Sequence, residues 1–188
     1  VCLSGDDRRR FSHYGCKVSH NPASNMKLAS GVAPVPDMIE DGITVGLGTD
    51  GCASNNTLDM IREMNTAAKL HKVARLDPTV MDAQTVVRMA TIDGARALGL
   101  ERITGSLEIG KKADLITVGM DRPHLTPLYD EYSHLVYAAG GADVDCVVIN
   151  GRVVMEDRNL LTVNEADVMA EVRNIAVSIQ KSLNTREK

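Results

Sequence analysis

Thr44-Val45-Gly46-Leu47-Gly48-Thr49-Asp50-Gly51, with Ser54-Asn55-Asn56 just behind it, decides the fold. The run reads as a short buried strand that ends on a carboxylate, then a loop, then a helix. Upstream, Cys16-Lys17-Val18-Ser19-His20 is a second short strand, closed by Asn21-Pro22. Two such strands separated by a loop and a helix form a βαβ-like unit, which favours a parallel sheet. In sheets of this kind chemistry gathers at the C-terminal ends of the strands. Asp50 and His20 are therefore the first residues to consider.

The composition sets bounds on the answer. The 188 residues allow one domain, or one domain with a smaller piece. Hydrophobic content of 44% and charged content of 24% are those of a globular chain. With one Phe and no Trp, the core must be Val, Ile, Leu, Met and Ala. A net charge of -4 and the lack of a dense Lys/Arg block argue against nucleic-acid binding. No apolar run is long enough to span a bilayer, so no membrane partner is expected. Cys2, Cys16, Cys52 and Cys146 are scattered and form no C-x-x-C pair, which predicts reduced, buried thiols in a cytoplasmic protein.

The remaining elements follow from periodicity and punctuation. A helix is expected over 6–14, a loop over 23–36, and a short helix over 34–40 with proline in its first turn. Leu58, Ile61, Met64 and Ala68 predict a helix over about 57–73. Further helices are expected near 82–89 and 94–98, with Asp93 as a cap for the second. From Ile103 the pattern turns to antiparallel β: a short strand within 105–112, another over 113–118, and Val147-Val148-Ile149-Asn150-Gly151-Arg152-Val153-Val154 as a hairpin on Asn-Gly. Asn164 caps a last helix over about 165–183, whose stripe of Val168, Val172, Ile175, Ile179 and Leu183 reads as a core-packing face. Residues after Asn184 are expected to fray.

Several motifs compete for the chemistry. Gly46-Leu47-Gly48-Thr49-Asp50-Gly51 matches G-x-G-x-x-G between a strand and a helix, as a dinucleotide fingerprint requires. Against it, the helix is expected to start only after Asn56, and no acidic residue closes a following strand. Asp50 itself has two readings. It is either a turn or capping aspartate, or a metal ligand and general base at a strand tip, where a carboxylate can bind a divalent ion and take a proton from water. His20 is either a hydrogen-bonded structural histidine or a site residue. There is no H-E-x-x-H, G-x-S-x-G or P-loop, and no H-x-E with P-C-x-x-C.

Val18-Ser19-His20-Asn21-Pro22-Ala23-Ser24-Asn25-Met26-Lys27-Leu28, then Gly48-Thr49-Asp50-Gly51 and Ser54-Asn55-Asn56, resemble the amidohydrolase superfamily. Within it they are most similar to the 5-methylthioadenosine/S-adenosylhomocysteine deaminases and their chlorohydrolase relatives. Ala90-Thr91, Gly94-Ala95-Arg96-Ala97-Leu98-Gly99-Leu100 and Gly105-Ser106-Leu107-Glu108-Ile109-Gly110-Lys111-Lys112-Ala113-Asp114-Leu115 resemble the segment in which these enzymes leave the barrel for a small β-sandwich.

The resemblance implies an α/β fold: the C-terminal part of a (β/α)8 TIM-type barrel over 1–102, a β-sandwich portion over 103–163, and a closing helix over 164–188. Residues 16–20 would be the seventh barrel strand and 43–50 the eighth. Asp50 would be the last zinc ligand, activating water and touching the reacting base. The implied reaction is hydrolytic deamination of a purine nucleoside-like substrate, with release of ammonia. His20, Asn25, Ser54 and Asn55 would shape the site from behind. The family's H-x-H pair, its other histidines and its glutamate have no counterpart here. The expected partner is thus the missing N-terminal barrel half or another chain, and the complete protein is expected to be a homo-oligomer. A guanine-type deaminase, an s-triazine chlorohydrolase, and a catalytically incomplete structural piece remain as alternatives.

Overall fold

A computed structural model describes residues 1–186. Helix α1 (Gly5–His13) opens on a capping box: the Ser4 hydroxyl accepts from the Asp7 N–H, and the Asp7 carboxylate accepts from the Ser4 N–H. Strand β1 (Val18–His20) runs straight into α2 (Pro22–Lys27). The expected loop over 23–36 is therefore helical in its first part. Pro22 ends the strand, but it is equally suited to a first helical turn. Helix α3 (Val35–Glu40) leads to β2 (Val45–Leu47), which is buried along its whole length.

The pairing is parallel, with Val18 opposite Val45, Ser19 opposite Gly46 and His20 opposite Leu47. Helix α4 (Cys52–Asn55) follows Gly51 at once, as a single turn ended by Asn56 in the left-handed region. The expected linker before the next helix is thus largely this turn. Helix α5 (Met60–Arg75) begins at Met60 rather than Thr57, because the Asp59 carboxylate caps the Ile61 and Arg62 N–H groups. Helices α6 (Ala83–Ala90) and α7 (Ile92–Leu98) lie close to expectation. Asp93, however, is no cap: it sits inside the first turn of α7 and pairs with Arg88 and Arg96.

The second half holds β3 (Leu115–Val118), α8 (Glu131–Tyr137), β4 (Val144–Ile149), β5 (Arg152–Glu156) and β6 (Asn159–Leu160). The strands form an antiparallel sheet in that order. Asn150 and Gly151, with φ of 51° and 77°, make the tight turn between β4 and β5. The strand expected within 105–112 is absent: Gly105 and Gly110 take positive φ, and the Lys112 N–H closes the loop onto the Ile103 carbonyl. Helix α8 was not legible as a helix in the sequence. It buries Val136 against α5 and α6.

Helix α9 (Glu165–Arg186) is capped by the Asn164 side chain, which accepts from the Ala166 and Asp167 N–H groups. The helix extends to Arg186, and the last two residues of the stretch expected to fray lie outside those described. Its apolar stripe does not enter the core. Val168, Val172, Ile175, Ile179 and Leu183 are all exposed, because no other element among the described residues covers them. The cysteines also depart from expectation: Cys2, Cys16 and Cys52 are exposed, lying in the first residues, a turn and the first residue of α4.

The core lies around β2. Val45 and Leu47 pack with Val35 and Met38 of α3, Ile61, Met64, Ala67 and Ala68 of α5, and Val86 and Met89 of α6. The opposite side of β2 meets α7. A Cβ added at Gly46 would stand 2.9 Å from the Gly94 Cα and 3.4 Å from the Ala97 Cβ. Gly46 thus serves close strand–helix packing. That accounts for the first glycine of the G-x-G-x-x-G match without a nucleotide, and the one-turn α4 leaves the match without the longer helix such a fingerprint needs.

One polar pair is buried in this packing. His20 and His71 are 2% and 1% exposed, with their Nε2 atoms 3.0 Å apart. A bond between the two Nε2 atoms requires one ring to donate and the other to accept, and burial disfavours a charge on either ring. Burial, and then the neighbouring His71, push His20 down to about 3; burial pushes His71 down to about 4.

Replacing Gly46 by Ala forces backbone apart and should cost about 1–3 kcal/mol, read as a lower urea midpoint. The histidine pair predicts a pH effect of definite sign. Below an unfolded value near 6.5 the unfolded chain takes up protons that the folded chain refuses, so stability falls with pH until the folded values are reached. Between pH 7.5 and 5 the loss should be about 2 kcal/mol per imidazole. In His71→Gln, urea titrations at the two pH values should show a smaller loss.

Candidate active site

Asp50 stands just beyond β2, on the side where both strands end. Its backbone is left-handed, with φ of 60°. A non-glycine residue there is strained and persists only where its surroundings impose it, and such strain gathers at functional sites. The surroundings do impose it. The Ser24 hydroxyl donates to Asp50 Oδ2 at 2.7 Å, and the Gly51 N–H donates to Oδ1 at 2.7 Å. Hydrogen bonds from Ser24, then Ser54, then the Gly51 N–H hold the carboxyl below the usual aspartate range. Asp50 is therefore an exposed, ionised carboxylate with lone pairs to spare.

The loop behind it is tied down by Asn55. The Asn55 amide donates to the Thr49 carbonyl at 2.7 Å and to Glu63 Oε1 at 2.5 Å. Ser54 Oγ also lies 3.1 Å from the Gly51 carbonyl, a second acceptor within reach of its one proton. Lys27 of α2 donates to the Ala53 carbonyl at 2.9 Å and also bonds the Asn56 side chain.

The residues singled out from the sequence fall into separate groups. Asp50 and Ser54 share one cluster, and Asn55 supports the same loop one layer back. Asn25 lies on α2, where its N–H donates to the Asn21 carbonyl at 3.0 Å in the first helical turn. The His20 side chain is engaged with His71 of α5, inside the packing of strand on helix.

Three polar residues of this region escaped sequence reasoning: Ser24, Glu63 and His71. Ser24 lies within the Val18–Leu28 run, where a lone serine carries no local signal of its own. Glu63, Ala67 and His71 are spaced four apart on α5 and are all buried. A carboxylate and an imidazole on the apolar face of an amphipathic helix were the readable signal.

Among the described residues, no three His, Cys, Asp or Glu side chains converge on a possible metal position. A catalytic zinc takes about three protein ligands. Among the described residues Asp50 has no two such side chains converging with it. A cleft of about 620 Å³ opens elsewhere, lined by Ser19, Gly46, Ala97, Leu107 and Leu115 among others. Asp50, Ser24 and Asn55 do not line it, so the cleft and the carboxylate cluster are distinct features.

The chain is 60% identical over 183 residues to 5-methylthioadenosine/S-adenosylhomocysteine deaminase 1 of Syntrophus aciditrophicus, covering 97% of this chain and 41% of that protein. It is 50% identical over 185 residues to the 5'-deoxyadenosine deaminase of Methanosarcina mazei, covering 98% and 42%. A crystal structure of an adenosine deaminase from Xanthomonas campestris with bound zinc superposes with a TM-score of 0.93 at 40% identity, over 95% of this chain and 41% of that one. The chain thus spans about two fifths of the length of the relatives it matches. Residues 1–154 match the Amidohydrolase family, and the chain belongs to that family.

Proposed function

We propose that this chain forms the C-terminal portion of a metal-dependent deaminase that hydrolyses an adenosine-like compound to the inosine-like product and ammonia. The observation that carries the reading is Asp50: an ionised carboxylate at the tip of a buried parallel strand, held in left-handed backbone by Ser24 and Gly51. The high identity to two adenosine-type deaminases and the zinc in the Xanthomonas campestris structure support the substrate class and the metal.

In this reading β1 and β2 are the seventh and eighth strands of a (β/α)8 barrel, and the antiparallel sheet from β3 onward is part of a sandwich. Asp50 supplies one ligand to a zinc ion whose other ligands lie outside this chain. Such an ion supplies Lewis acidity, lowering the pKa of water toward neutrality. Ser24 fixes the rotation of the Asp50 carboxylate. Asp50 itself, kept ionised, accepts the proton given up by the attacking water and returns it to the departing nitrogen. Water adds at the amino-bearing ring carbon, the C–N bond breaks, and ammonia leaves.

The remainder of the barrel closes on the cleft beside Ser19, Gly46 and Leu107, where Leu107 and Ile116 stand exposed. Four unpaired cysteines suit a reducing compartment, in keeping with a cytoplasmic enzyme. Assembly of the complete protein into a homo-oligomer belongs to the same reading.

The test is a chimera in which this chain is joined to the part of the Syntrophus aciditrophicus relative that it does not span. Purified after removal of loosely held metal, the chimera should retain near-stoichiometric zinc and release ammonia from methylthioadenosine or S-adenosylhomocysteine. Asp50→Ala should lose the zinc and reduce the rate by at least about 100-fold. Undiminished zinc and turnover in Asp50→Ala would overturn the reading.

A further inference from the structure

Glu63 is a carboxylate only 1% exposed, on the buried stripe of α5. An unbonded charge in such a place costs several kcal/mol, so its partners matter. Its Oε1 accepts from the Asn55 amide at 2.5 Å, and its Oε2 accepts from the Ala23 N–H at 3.3 Å. Each partner leads directly to Asp50. Asn55 also donates to the carbonyl of Thr49, the residue whose peptide leads into Asp50. Ala23 precedes Ser24, whose hydroxyl grips Asp50 Oδ2. One buried carboxylate thus bonds to both segments that hold Asp50. A packed apolar side chain would serve stability at least as well at this position. What the carboxylate adds is directed bonding to the loop over 49–56 and to the start of α2.

We propose that Glu63 is a positioning residue for Asp50: through Asn55 and Ala23 it holds the strained backbone at Asp50 and sets the direction of its carboxylate. The proposal rests on the reading that Asp50 binds the metal and accepts the proton. Supports of this kind behind a metal ligand are worth about 10–100-fold in metal affinity or activity. Glutamine at 63 keeps an acceptor for Asn55 but presents an amide to the Ala23 N–H, so it restores half of the arrangement.

The test uses two readouts. In the chain itself, hydrogen exchange over residues 49–56 should speed up about tenfold or more in Glu63→Ala, and less in Glu63→Gln, while β1 and the C-terminal half of α5 stay protected. In the chimera, zinc affinity and kcat per folded molecule should fall about 10–100-fold in Glu63→Ala with KM little changed, and Glu63→Gln should fall between that variant and wild type. Should Glu63→Ala fail to fold, Asn55→Ala carries the same expectations from the other end of the bond. A merely structural Glu63 would lower the folded fraction and leave zinc affinity and kcat per folded molecule as in wild type; that result, or unchanged exchange over 49–56, overturns the proposal. Asp50→Asn in the same chimera separates the two ideas. If it keeps full zinc affinity and turnover, the reading of Asp50 fails, whatever Glu63 does to the loop.

Discussion

Val18 opposite Val45, Ser19 opposite Gly46 and His20 opposite Leu47 bring the C-terminal ends of two parallel strands side by side. From that register the rest follows. The segment leaving β1 turns into α2 and carries Ser24; the segment leaving β2 turns at Asp50. Because both strands end together, a serine and an aspartate 26 positions apart in sequence share a hydrogen bond. The close approach of β2 to α7 at Gly46 and Gly94 fixes the strand from one side, and the packing of Val45 and Leu47 on α3, α5 and α6 fixes it from the other. A strand covered on both faces has little freedom, which suits it to hold a strained residue at its tip.

The polar groups inside the packing serve that same end. His20 and His71 join β1 to α5, and Glu63 joins α5 to the two segments around Asp50. Buried polar pairs contribute less to stability than apolar contacts of equal volume, but they fix geometry. All three lie on the strands or on the single buried stripe of α5. That helix therefore acts as the back wall of the candidate site, although none of its side chains reaches the Asp50 carboxylate in the bonds described. The apolar stripe of α9 and the cleft beside Gly46 belong to another part of the account. They are surfaces that a chain spanning about two fifths of its relatives' length leaves uncovered.

Much of this was legible in the residues. The parallel strands, the hairpin at Asn150-Gly151 and the Asn164 cap follow from local rules, since strand alternation, turn chemistry and capping act over a few residues. What escaped the sequence depends on distant partners. Helix α8 owes its place to α5 and α6, which lie more than forty residues upstream. The exposure of the α9 stripe follows from the lack of a covering element, and periodicity carries no information on that. Ser24 and Glu63 gained meaning only once β1 and β2 were paired. The G-x-G-x-x-G match illustrates the converse: a motif of the right spacing whose first glycine answers to the proximity of Gly94.

The most direct measurement is anomalous scattering at the zinc absorption edge from crystals of the completed protein. It locates the metal without reference to turnover. The expected result is one strong peak about 2.0–2.2 Å from an Asp50 carboxylate oxygen, with the Ser24 hydroxyl still bonded to that carboxylate. A zinc peak at full occupancy whose ligands do not include Asp50 would contradict the account.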